Sequence, residues 1–132
     1  MKKKVLSVSF VLALLLFAVN TAFAAATFDG VYGEVGDASS VAVYSQDGNT
    51  VNVTGYYVIN GQPRVWYGRG KREGDTISYS YKITLGPSRL AAERKNTGKH
   101  TLTISPDGRT MTGTSTASDG TSSSFTMQRK SN

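Results

Sequence analysis

The chain has 132 residues, no cysteine and a formal net charge of +6. Without cysteine there is no disulfide framework and no thiolate nucleophile or metal ligand, so the fold must hold by packing and backbone ladders alone. Three of the 15 basic residues are Lys2, Lys3 and Lys4, while all nine acids lie further along, so the rest of the chain carries only +3. That is too little to argue for nucleic acid as a partner.

The chain opens with these lysines, an apolar run from Val5 to Val19, and small residues at Ala22 and Ala24. A basic start, a short apolar stretch and an A-x-A exit are the marks of a secretory signal peptide. The run is shorter than the about 20 residues a membrane span needs, and no cysteine is present to take a lipid anchor. The expectation is a leader over residues 1–24 and one exported domain over 25–132, working in the periplasm or outside the cell with no membrane span after cleavage.

Period-two alternation then runs through the domain, the pattern of half-buried strands. Eight strands are predicted, over 28–34, 40–46, 50–60, 64–70, 76–85, 99–105, 109–116 and 122–129. The fifth is the clearest, with Ile77, Tyr79, Tyr81, Ile83 and Leu85 on one face and Thr76, Ser78, Ser80, Lys82 and Thr84 on the other. The same reading turns Val41 and Val43, Val51 and Val53, Tyr57 and Ile59, Val65 and Tyr67, Leu102 and Ile104, and Phe125 and Met127 inward. Asp47-Gly48, Asn60-Gly61, Gly74-Asp75, Asp107-Gly108 and Asp119-Gly120 supply the turns, since Gly, Asn and Asp accept the positive φ that tight hairpins demand. Short links favour antiparallel neighbours. The predicted class is all-β: an eight-stranded antiparallel up-and-down barrel or closed meander. The longer stretch Gly86–Gly98 holds Ser88-Arg89-Leu90-Ala91-Ala92-Glu93-Arg94-Lys95, good helix formers, and predicts a short helix or long loop between the fifth and sixth strands.

Groups for catalysis are sparse. His100 is the sole histidine; beside Lys99 at a strand start it reads as a surface residue and rules out a histidine-rich zinc site. Most carboxylates fall at turns, which accounts for them, and no nucleophile elbow or phosphate loop is spelled. The expectation is a non-catalytic protein with no cofactor and no metal.

Aromatic residues are the stronger lead. Tyr57, Tyr67, Tyr79 and Tyr81 share the apolar register and are the candidate ligand-binding residues, tyrosine offering a flat apolar body with a hydroxyl. Trp66 falls on the other register; with Arg64 and Arg69 it is the candidate contact surface for an envelope or extracellular protein, Trp and Arg being typical anchors of interfaces. Two readings follow: a binder of a small molecule in an aromatic-lined barrel, or a protein-contact module such as an inhibitor or assembly factor.

The run Val58-Ile59-Asn60-Gly61-Gln62-Pro63-Arg64-Val65-Trp66-Tyr67, with Gly74-Asp75-Thr76-Ile77-Ser78-Tyr79 and the ending Met127-Gln128-Arg129, resembles a family of small secreted bacterial β-rich proteins of unknown function, whose units carry a segment of the Y-x-x-x-G-x-P-x-W-Y type. The resemblance covers most of residues 40–129 and implies an exported β-fold. Where that family has a tryptophan-rich segment before the second strand, this chain has Gly36-Asp37-Ala38-Ser39. The family brings no catalytic residues to carry over. Lipocalin-like and avidin-like barrels are similar in strand count alone.

Overall fold

A computed structural model describes residues 26–85 and 96–131. Their strands are β1 (Gly30–Glu34), β2 (Val41–Asp47), β3 (Thr50–Ile59), β4 (Gln62–Glu73), β5 (Thr76–Leu85), β6 (Thr97–Ile104), β7 (Thr110–Ala117) and β8 (Ser122–Ser131). Each pairs antiparallel with the next and β8 returns to β1, closing an eight-stranded up-and-down barrel. Closure leaves no unpaired sheet edge, which suits a chain without disulfides. No helix occurs among the described residues. The helix or loop expected between the fifth and sixth strands falls mainly on 86–95, outside the described residues, and Thr97 and Gly98 from that stretch already belong to β6.

The β3–β4 turn sets the register. Ile59 pairs with Gln62, leaving a two-residue loop in which Asn60 and Gly61 have φ of 51° and 73°. Positive φ at both positions matches the right-handed twist of the flanking strands. From there Tyr57 faces Arg64, Gly55 faces Trp66 and Val53 faces Gly68. Directly opposed residues share a face of the sheet. Since Val51 and Val53 are buried, Trp66 and Arg64 point into the barrel with them.

Two strands are therefore inverted from their predicted faces. On β4, Tyr67 pairs with exposed Thr54 and is 51% exposed, while Arg64 is 7% exposed. Pro63 and Trp66 are separated by both Arg64 and Val65, one residue more than the family segment has. On β2, Ala42 and Tyr44 are buried and Val41 and Val43 are exposed. Valine is as much a former of pleated sheet as a core residue, so its presence does not reveal which face is inside. β6 keeps its predicted face, with Leu102 and Ile104 buried; the same alternation turns His100 inward, opposite buried Tyr79, and corrects its assignment to the surface.

One end of the barrel is filled. Tyr32, Val51, Ile77, Leu102 and Met111 are fully buried, and Phe28, just before β1, is buried with them. Two arginines hold that plug. The Arg72 guanidinium lies 4.9 Å from the Phe28 ring centre and donates to Gln46 Oε1 at 2.9 Å, which also accepts the Phe28 amide at 3.2 Å. Arg129 lies over the Tyr32 ring at 4.8 Å and donates to the carbonyls of Gly108 at 2.7 Å, Thr27 at 2.8 Å, and Asp29. Cation–π contact and charge-assisted hydrogen bonds thus strap residues 27–29 across the barrel end. Phe28→Ala removes a fully buried ring from this end and is expected to lower stability by about 3–5 kcal/mol, read as a shift of the urea midpoint.

Candidate functional site

At the other end the described residues enclose open space. A cavity of about 310 Å³ is walled by Trp66, Tyr81, Ile83, Phe125, Ala117 and Met127, floored by Tyr44 and His100, and edged by Glu34, Ser40, Tyr57, Ser115 and Ser123. The volume equals about ten waters of bulk liquid and lies at the lower end of the range for small-molecule pockets.

The wall is an aromatic cluster. Trp66 stacks on Tyr79 with ring centres 6.2 Å apart and planes within 8°, and meets Tyr81 edge-on at 6.3 Å. His100 sits in the middle, 5.4 Å from Trp66, 5.1 Å from Tyr79, 4.4 Å from Tyr81 and 5.0 Å from Phe125. Eight strands do not leave room for so many rings unless their neighbours are small. A Cβ on Gly55 would stand 2.0 Å from the Trp66 indole, one on Gly68 would stand 2.6 Å from the Tyr79 ring, and one on Gly98 would stand 2.5 Å from the Tyr81 hydroxyl. Glycines within the strands make space for the cluster, which is their usual meaning inside a sheet.

The polar groups on the floor are joined. Tyr44 Oη and Tyr79 Oη are 2.7 Å apart, and Tyr79 Oη lies 2.9 Å from His100 Nδ1. Burial raises the pKa of both tyrosines and lowers that of His100 to about 4, because an apolar surrounding disfavours the charged form. Burial, helped by the charge of Asp37, holds the Glu34 carboxyl above its ordinary range. Burial also raises the Tyr57 hydroxyl, against the pull of Arg64. No lysine or arginine lines the cavity among the described residues, and no group of three or more His, Cys, Asp or Glu stands ready to hold a metal among them.

The predicted ligand-binding residues divide. Tyr57 and Tyr81 line the cavity, Tyr79 is buried behind it and bonded to its floor, and Tyr67 lies outside the barrel. Of the predicted contact residues, Arg69 is exposed on β4 opposite Asn52 and Ser80. Arg64 is buried with Nη1 donating to the Pro63 carbonyl at 3.0 Å, and Trp66 is a wall of the cavity. His100 is the residue that sequence reasoning missed. Its signal was parity: with Leu102 and Ile104 inward, position 100 is inward too. No family model matches the chain, and no curated protein or solved structure is significantly similar to it.

Two outcomes are expected. Gly55→Ala forces the Trp66 ring out of its place, and the emission of this sole tryptophan moves toward that of a solvated indole while the far-ultraviolet circular dichroism stays that of a barrel. The second concerns pH. Unfolded, His100 takes a proton near its ordinary 6.5; folded, only at about 4. The unfolded chain binds more protons between these values, so this contribution to stability is complete above about pH 6.5 and is lost as pH falls toward 4. The full loss is roughly 3 kcal/mol at about 1.4 kcal/mol per pH unit. Glu34, whose carboxyl is held above its ordinary range, contributes with the opposite sign, so the check is a difference: urea midpoints of wild type fall further from pH 7 to pH 4 than those of His100→Phe.

Proposed function

We propose that the chain is an exported, non-catalytic binding protein that takes one small, flat, largely apolar molecule into the open end of its barrel. The observation that carries this reading is the asymmetry of the interior. One end is filled by aliphatic and aromatic side chains and strapped shut, while among the described residues the other keeps a cavity with rings in its walls, Tyr44 and His100 on its floor and polar side chains at its edge. A core whose purpose is packing alone fills its space, since interiors close to organic-crystal density are the rule. Concave aromatic walls with a few placed polar groups are what small-molecule sites have in common. Export rests on the leader-like start of the chain.

A second reading has its own observation. Val41 and Tyr56 are directly paired on the outer face, as are Thr54 and Tyr67. These apolar side chains are 41%, 42% and, for Tyr67, 51% exposed, with Val43 at 49%. Together with Arg69 they make an outer surface over β2–β4 suited to a protein contact, on residues other than the Trp66 and Arg64 expected for it.

Native mass spectrometry of the protein purified gently from its own host separates the two. The binder reading expects a mass excess of a few hundred daltons that is lost on denaturation. It also expects the neutral fluorophore N-phenyl-1-naphthylamine to brighten in the emptied protein, with energy transfer from Trp66. A bare mass with no uptake of the fluorophore overturns it, and a co-purifying polypeptide released by Tyr56→Ala/Tyr67→Ala establishes the contact reading in its place.

A further inference from the structure

The hydrogen-bond chain under the cavity has one direction that satisfies both of its tyrosine hydroxyl donors. Tyr44 is 2% exposed, and its hydroxyl has one partner, Tyr79 Oη. A buried hydroxyl that fails to donate carries the penalty of an unmade bond, so Tyr44 donates to Tyr79. The single Tyr79 proton is then free to go to His100 Nδ1, 2.9 Å away. The reverse direction, with Nδ1–H donating to Tyr79 and Tyr79 to Tyr44, leaves the proton of the nearly buried Tyr44 without an acceptor among the described residues. Nδ1 is therefore the acceptor, and the one proton of the neutral ring sits on Nε2.

Nε2 makes no hydrogen bond with the described residues, and it is not among the side-chain nitrogens sealed from solvent. The ring lines the cavity, so Nε2–H is a donor at the floor, held in orientation by the relay behind it and by the four rings around it. Its surroundings select among ligands. The nearest titratable groups on the elements packed against it are Tyr79 and Tyr81 of β5 and Tyr44 of β2, and the carboxyl edging the cavity is Glu34 of β1. Among the described residues no lysine or arginine lines the space to balance an anion, and Glu34 at the rim opposes one. A cation is drawn to aromatic rings, but here it would meet an N–H donor at the floor. What remains is a neutral molecule with an acceptor.

We propose that His100 is the specificity residue of the cavity, presenting Nε2–H to the carbonyl oxygen of a neutral aromatic ligand whose ring lies against Trp66, Tyr81 and Phe125. This deepens the small-molecule reading and rests on it. Tyr79 is a positioning residue, acting on the ligand through the imidazole.

Because the chain has a single histidine, the test is unambiguous. The protein is expressed from its full-length chain with nitrogen-15 label, and the imidazole spectrum is recorded near pH 7. The Nε2–H tautomer is expected in wild type, and a mixture of tautomers in Tyr79→Phe, which keeps the ring and loses only the hydroxyl. Acetophenone, ethylbenzene and benzoate are then competed against N-phenyl-1-naphthylamine. Partition into an apolar site by itself favours ethylbenzene; one desolvated hydrogen bond is expected to reverse that, with acetophenone about tenfold tighter and benzoate weakest. Acetophenone, and not ethylbenzene, is expected to shift the Nε2 resonance, and its advantage is expected to shrink in Tyr79→Phe and to vanish in His100→Phe. An Nδ1–H tautomer in wild type overturns the proposal. So does fluorophore uptake with ethylbenzene preferred and Nε2 unmoved, an outcome that leaves the binder reading standing. Failure of the fluorophore to bind at all removes both.

Discussion

Register is the constraint on which the rest of this barrel depends. Antiparallel partners share a face, so one two-residue turn at Asn60-Gly61 decides, for all of β3 and β4, which side chains are enclosed. A slip of one residue would put Tyr67 inside and Trp66 outside, and would set exposed Thr54 where Gly55 now stands. With the register as found, Gly55 faces Trp66 and leaves the indole space it would otherwise lack. The stack of Trp66 on Tyr79, the ring cluster around His100 and the shape of the cavity all follow from that opposition.

The two ends of the barrel handle the same problem in opposite ways. A short barrel must cover the apolar interior at both mouths. At the β1 entry, Phe28 enters the core and arginines cover it, their guanidinium groups lying over rings while their nitrogens reach backbone carbonyls. At the other end, aromatic walls stop short of meeting and a neutral imidazole remains, its charge suppressed by burial. Keeping a desolvated histidine there makes the fold less tolerant of acid, a cost in stability that the proposed binding role would explain.

The outer surface follows a different logic. The β-branched residues outside, Val41 and Val43 on β2 and the threonines of β7, satisfy the pleat without being buried. Arg69, Lys71 and Lys82 stand among them, and charges on exposed strands also discourage sheets of different molecules from joining.

What was legible in the sequence was legible because it is local. All eight strands and most of their ends were readable from alternation and turn dipeptides, since side-chain period and positive φ are properties of a few neighbouring residues. The strands pointed to a barrel or closed meander; that β8 pairs with β1 to close it is a matter of tertiary structure. Faces were readable where one register is plainly apolar, as in β5 and β6, and misread where both registers carry apolar residues, as in Val41-Ala42-Val43-Tyr44 and Val65-Trp66-Tyr67. There the inside is set by the partner strand, a relation between residues far apart along the chain. The Asn60-Gly61 turn held the information needed to pair Trp66 with Gly55. The burial of His100, the direction of its hydrogen-bond chain and the cavity beside it belong to tertiary structure alone, because desolvation and the meeting of Tyr44, Tyr79 and His100 from β2, β5 and β6 exist only once the barrel has closed.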